Sequence, residues 1–212
     1  MDFGWYLRRL RRMSASEVGW RLRSAGIQQA WRFGTPANGF SPSAPLAWTG
    51  ASLAKPGEPH HRVIDPGAKA RLLDAAHAIS AGRWRVFGRD FDTASADPDW
   101  HRCIRTGRRF APDRYCFDVP YRDAETVGDV KSIWEPSRLH HVTILAAAYH
   151  FSGNGEFARR AGDHLRSWWN ANPPLRGIHW LSGIEIGMRL IAWVWTRRLL
   201  ADWPGVTALF EE

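Results

Sequence analysis

The sequence predicts an all-α chain of antiparallel helical hairpins joined by short connections, the unit of an α/α array. Three observations carry this. Helix-start chemistry recurs along the chain, apolar residues follow each start at helical spacing, and Gly or Pro closes each run.

The first start is Ser14 with Glu17, an S-x-x-E capping box, with Met13 and Val18 placed as its hydrophobic staple. A helix from about Ala15 towards Trp31 follows, stopped by Gly34 and Pro36. Thr35 to Pro59 is rich in Pro, Ser and Gly and reads as a linker or wrapped arm, so residues 1–60 form an N-terminal helix and arm. Asp65-Pro66 is the second start, an N-cap followed by Pro at the first helical position. Leu72, Leu73, Ala76 and Ile79 then recur at helical spacing until Gly82.

From Trp84 to Lys131 the helical pattern breaks. Short extended pieces, WRVF and RYCFDV, lie among Asp, Gly and Pro, and a stretch this long is either functional or partly structured. Pro136 opens the next helix, with Ile144, Leu145 and Ala148 on its apolar stripe and Gly153-Asn154-Gly155 as its turn. Glu156 to Trp169 follows, closed by Asn172-Pro173-Pro174. Ser182 and Glu185 make a second S-x-x-E box before an apolar helix, Ile184 to Leu200, which Pro204 interrupts ahead of one more helical start. That helix is apolar nearly all round, which calls for cover on more than one side. The expectation is that the cover comes from chain beyond Glu212 or from a partner.

Composition narrows the class. Of 212 residues, 44% are apolar and 24% charged, which excludes a disordered tail, and two cysteines exclude a disulfide-built miniprotein. Cys103 and Cys116 either pair in an oxidising compartment or stay as free thiols, and their spacing makes a poor metal site. No run approaches the ~20 apolar residues of a membrane helix, and the N-terminal stretch does not read as a recognisable secretory signal. Only three of the 29 basic side chains are Lys, and the net charge is +8. The Arg excess reads first as GC-rich coding, and in a sharper reading as suiting an acidic polymer gripped by guanidinium forks. The 13 Trp serve either as core or as flat cleft walls.

Polar and aromatic residues concentrate in four segments: Asp99 to Arg109 (DWHRCIRTGRR), Asp129 to His141 (DVKSIWEPSRLHH), Asn172 to Trp180 (NPPLRGIHW) and Ser182 to Trp193 (SGIEIGMRLIAW). The order K-x-x-W-E-x-x-R-x-x-H, then N-P-P-x-x-G-I-x-W-x-S-x-x-E-x-x-x-R-x-x-x-W, resembles the N-terminal helical domain of the heparinase II/III family of bacterial polysaccharide lyases. The opening R-L-R-R-M-S-x-x-E-V-x-x-R-x-R is similar to that domain's start. Cys103-Ile104 departs from the Asp-Pro expected after W-H, and Pro136-Ser137 with Leu139 from the usual Leu-Asn-Arg-His run.

The resemblance implies that residues 61–212 are part of an incomplete (α/α) toroid, completed by further helices and a β-sandwich domain. It implies β-elimination on acidic, uronate-containing glycans such as heparin, heparan sulfate or alginate, without a cofactor. That chemistry needs charge stabilisation at the developing enolate, a Tyr or His acting as base and acid, and a positive groove. The family's catalytic Asn, Tyr and His are expected beyond residue 212, so this stretch alone is expected to be inactive. A periplasmic location is implied, with the cytoplasm as the alternative because no signal is visible.

The expected substrate contacts are Trp134, Arg138, His141, His179 and Trp180. Trp134 and Trp180 floor a sugar cleft or pack in the core, and Arg138 clamps a uronate carboxylate or pairs with Glu135. Ser14, Glu17, Glu185 and Arg189 are read as structural. Glu185 caps a helix and pairs with Arg189 at i,i+4. His60-His61 and His140-His141 are adjacent pairs whose side chains diverge on a helix, so no metal is expected. Three alternatives remain. One is an α/α-barrel glycoside hydrolase using the acids of Asp90 to Asp99, which read more simply as turn residues. A second is a non-catalytic acidic-glycan-binding or polysaccharide-assembly module. The third, a nucleic-acid binder, is disfavoured by dispersed arginines.

Overall fold

Residues 12–33, 65–92 and 98–211 are described by a computed structural model, and the chain divides into two units, 1–51 and 52–212. In the first unit, α1 (Ala15–Phe33) begins where Ser14 Oγ accepts the Glu17 N–H at 3.2 Å. Glu17 does not close the reciprocal half of the box: its carboxylate accepts from Arg21 Nη2, one turn on, at 2.9 Å. No α1 side chain is buried, and Trp20, Leu22 and Phe33 are exposed. The arm from Thr35 to Pro59, and His60-His61, lie outside the described residues.

The second unit starts with α2 (Pro66–Ser80), where Asp65 Oδ1 accepts the Ala68 N–H at 2.8 Å and Pro66 supplies the pre-set φ of the first turn. A hairpin follows, β1 (Arg83–Val86) antiparallel to β2 (Arg89–Asp92), pairing Trp84 with Phe91. Its two-residue turn, Phe87-Gly88, has φ of +50° and +72°, the mirror-image turn that matches strand twist and favours Asn-Gly. A bulky side chain in the left-handed region costs about 1–2 kcal/mol.

The WRVF expectation becomes β1. RYCFDV does not become a strand. The Cys116 N–H bonds Leu175 O at 2.9 Å, but the Asp118 N–H turns back to Tyr115 O at 3.0 Å, so the segment leaves a single bridge, Tyr115 to Arg176, for a 3-10 turn over Cys116–Asp118. Cys103, Phe110, Val119, Val127, Ile133 and Ile178 give this polar middle its own small core. Cys103 and Cys116 are both buried free thiols.

Two short helices, α3 (Ala124–Val127) and α4 (Val130–Trp134), lead into the main array. The helix expected from Pro136 is broken. Pro136–Arg138 makes a 3-10 turn, Leu139 takes φ +62° with its side chain fully buried, and only then does α5 (His140–Ser152) begin. Next come α6 (Gly155–Ala171), capped by Asn154 accepting the Glu156 N–H at 3.0 Å, then α7 (Gly183–Leu199) and α8 (Val206–Glu211). Helix α5 is central, packed by α2, α6 and α7. Its Val142, Leu145, Ala146 and Ala148 meet Phe157, Ala158, Ala161 and Leu165 of α6 in one core, where the alanines allow close approach. The described residues are thus all-α apart from one two-stranded sheet. No helix among them is long and apolar enough to cross a membrane.

The apolar helix α7 packs in an unexpected orientation. Glu185, Arg189, Ala192 and Thr196 are its buried residues, whereas Ile184, Leu190, Ile191, Val194 and Trp195 are exposed. Ser182 sits at the N-cap with no side-chain capping bond, so the second S-x-x-E box does not form.

Candidate functional site

The motif segments converge behind the start of α5. The left-handed Leu139 redirects the chain so that His141 enters the core, 4% exposed, while His140 stays outside. The His141 ring lies flat on Trp84 of β1, with centroids 4.4 Å apart and planes 8° apart. His164 of α6 stands 5.2 Å from His141 and 5.6 Å from Trp84, and Trp100 closes the group at 5.9 Å from His141. Trp100 is held by its indole N–H donating to Ser167 Oγ at 3.1 Å.

A second imidazole pair adjoins this one. His101 and His179 are 5.4 Å apart, each donating through Nε2 to a backbone carbonyl, Ala171 O at 3.0 Å and Trp100 O at 2.9 Å. Carbonyl partners fix both as neutral Nε2–H tautomers. Burial pushes all four histidines below the ordinary imidazole value: His141 and His179 far below, His101 less, and His164 to about 3. Neighbouring positive charge adds to this, from Arg160 at His141 and His164 and from Arg189 at His179. His141 Nε2, both His164 ring nitrogens and the Nδ1 atoms of His101 and His179 are buried without a hydrogen-bond partner.

The polar layer comes from α7. Arg138 forks onto Glu185, Nε to Oε2 at 2.9 Å and Nη2 to Oε1 at 2.8 Å, while its Nη1 reaches Glu135 at 2.6 Å. Glu185 holds the Arg138 guanidinium above its ordinary value. Arg189, fully buried, donates to His179 O and lies over Trp168 at 5.0 Å and Trp180 at 5.9 Å. Burial lowers it to about 10.

In front of the cluster lies a cleft of about 320 Å³ between α2, β1 and the start of α5. Trp84 and His141 line it together with Arg83, Arg85, Glu135 and His140. A largely apolar lining with ionisable groups around it suits a ligand with an apolar face and a charged substituent.

The expected substrate contacts separate in space. His141 lines the cleft. His179 is fully buried behind it and so cannot meet a ligand. Trp134 is half-buried and tied by its indole N–H to Ile178 O at 3.0 Å. Trp180 is half-buried, donates to Asn172 O at 3.2 Å and packs 5.8 Å from Trp168. Neither lines the cleft; Trp84 does. Arg138 already holds two carboxylates, and the partner of Glu185 is Arg138 across 47 residues rather than Arg189 one turn away.

Sequence reading passed over Trp84, Trp100, His101 and His164 as individual residues. The signal for Trp84 is its place in an alternating exposed–buried strand, and for His164 its place on the apolar stripe Phe157, Ala161, Leu165, Trp168. No group of three or more ligating side chains that would hold a metal occurs among the described residues. No family model matches the chain, and neither does any curated protein or solved structure.

Proposed function

We propose that this chain is the helical portion of a lyase that cleaves acidic, uronate-containing polysaccharides by β-elimination, with its α-hairpins forming part of an incomplete (α/α) toroid. The observation that carries the reading is convergence. The W-H of Trp100-His101, the W-E-x-x-R-x-x-H of Trp134 to His141, His179-Trp180 and the E-x-x-x-R of Glu185 to Arg189 come from distant segments. They build one connected cluster behind a cleft.

The cleft suits a sugar acid physically. Trp84 and His141 cover each other's faces and reach the cleft only by their edges, as part of a largely apolar wall, and Arg83 with Arg85 supply positive charge for a sugar carboxylate. The cluster behind acts as a support: the Arg138–Glu185 fork ties the turn before α5 to α7, the carbonyl-tied histidines join Trp100 and Ala171 to it, and the His141–Trp84 contact sets the start of α5 against the hairpin.

A non-catalytic acidic-glycan-binding role is favoured by one observation. His141, one of the two imidazoles that line the cleft and the buried one, is held so far below its ordinary value that it is a weak proton acceptor at neutral pH. Hydrolysis by paired carboxylates draws no such support. Asp90 pairs with Arg85 at 3.5 Å and Asp99 with Arg109 at 2.6 Å, both as partly exposed ion pairs.

Retention on immobilised alginate, heparin and double-stranded DNA at one ionic strength tests the reading. Preference for the uronate polymers is expected. Equal retention on all three, or preference for DNA, overturns it. The same polymers incubated with the chain report lyase activity through the near-ultraviolet absorbance of the 4,5-unsaturated uronate. Absorbance from this chain overturns the binding-only role; the lyase reading itself expects none here, because the resemblance puts the catalytic Asn, Tyr and His beyond residue 212.

A further inference from the structure

The β1–β2 hairpin carries at its tip a residue that the turn disfavours and the core does not use. Phe87 holds the first turn position at φ +50°, where Asn or Gly sits at little steric cost, and it is 59% exposed. The hairpin packs into the fold through Trp84, Val86 and Phe91 instead, so burial does not offset the strain at Phe87. Strain retained without packing is a mark of a contact made with something else. Beside it, Arg85 is fixed to the turn: Nη2 donates to Gly88 O at 2.8 Å and Nε lies 3.5 Å from Asp90. Arg83, Trp84, Arg85 and Val86 line the cleft, and Phe87 follows Val86 directly, just outside that lining.

We infer that the hairpin tip is a sugar-stacking subsite that extends the cleft, with Phe87 taking the apolar C–H face of a pyranose and Arg85 its carboxylate. The inference rests on the acidic-glycan reading above and deepens it. The ligand is then an oligosaccharide long enough to run from the cleft to the tip, rather than a single uronic acid. A lipid surface is the weaker fit, because Phe87 is the hairpin's single exposed large apolar side chain, and stable membrane anchoring takes more than one such signal.

The turn geometry makes the test free of a folding artefact. Phe87→Asn installs a residue the turn prefers, so the variant should unfold at or above the wild-type temperature while losing the stacking surface. Wild type, F87N and R85Q are titrated with alginate and heparin oligosaccharides at low and moderate salt, with thermal unfolding alongside. F87N should bind about ten-fold more weakly with an unchanged salt slope, the size of one lost aromatic stack. R85Q should weaken binding and flatten the salt slope, because it removes a charge.

F87N binding as tightly as wild type removes the subsite and leaves the acidic-glycan reading standing. Wild type binding neither oligosaccharide removes that reading and the subsite together. Loss of retention on phosphatidylserine vesicles by F87N, with glycan binding intact, reassigns the tip to lipid. An unfolding temperature for F87N below wild type shows that packing holds Phe87 and overturns the strain argument.

Discussion

Helices α6 and α7 are each 17 residues long, yet they bury opposite kinds of surface. Helix α6 buries Phe157, Ala158, Ala161, Leu165 and Trp168, with His164 as its one buried polar side chain, and turns most of its charges outward, the ordinary pattern of an amphipathic helix. Helix α7 buries Glu185, Arg189 and Thr196 with Ala192, and exposes Ile184, Leu190, Ile191, Val194 and Trp195. Area removed from water therefore holds α6, while named polar bonds orient α7. The Arg138 fork on Glu185 and the Arg189 bond to His179 O set its rotation, and a half-turn rotation would break both. Buried ion pairs add little net stability but penalise misplacement strongly. Helix α7 thus trades apolar burial for an exact position beside the cleft's supporting cluster.

Four measurements break or sharpen this contrast. The largest effect belongs to the apolar side. Trp168→Ala on α6 should cost about 4 kcal/mol in urea unfolding, because a fully buried indole is deleted and a cavity remains. A loss below that of a surface change would end the claim that α6 is held by burial.

Next comes the polar side. Glu185→Gln should cost about 3 kcal/mol, since it leaves the Arg138 fork only one carboxylate, Glu135. The double change with Arg138→Met should recover most of that loss, and a double variant as unstable as the single one would contradict the pair's role.

Acid comes third. His164 is neutral when folded, held near 3, and protonates with an ordinary value of 6.5 when unfolded. Between those values the unfolded state binds more protons, so stability is full above pH 6.5 and falls as pH drops towards 3. The His164 share of the loss at pH 5 is about 2 kcal/mol. Burial moves His141 and His179 in the same direction. Urea midpoints at pH 7 and pH 5 read the total, and His164→Phe should reduce the pH slope by about one proton. An unchanged slope in that variant would show that His164 does not titrate on unfolding.

The smallest effect should be on the outer face of α7. Ile191→Ser is expected within about 0.5 kcal/mol of wild type, because Ile191 is already 56% exposed. A larger loss would mean that this face is covered when the protein is in solution.

Local chemistry was legible wherever one short stretch decides the outcome. Asp65-Pro66 and Ser14 start helices because a side-chain oxygen reaches an N–H three residues on, whatever lies elsewhere. The Gly153–Gly155 turn and the α5–α6 hairpin follow from adjacent punctuation and apolar spacing. Ser182–Glu185 misled for the converse reason. The spacing permits a capping box, but Arg138 offers the carboxylate two charge-assisted bonds that a backbone N–H cannot match. RYCFDV failed similarly, since β-propensity counts only where a partner strand is present.

What the sequence determined by itself is the inventory: capped helices at known places, a broken polar middle, and the W-H, W-E-x-x-R-x-x-H, H-W and E-x-x-x-R segments as the places where polar and aromatic residues concentrate. What only the tertiary structure decided is which way each of those side chains faces. Leu139 at φ +62° turns His141 inward and leaves His140 out, and a distant hairpin supplies Trp84 as the ring against it. The Trp84–His141 pairing joins residues 57 positions apart, and neither capping rules nor helical spacing reach that far. Such pairings are selected when the whole core closes, because a buried imidazole or carboxylate is tolerated only where packing happens to bring it a partner.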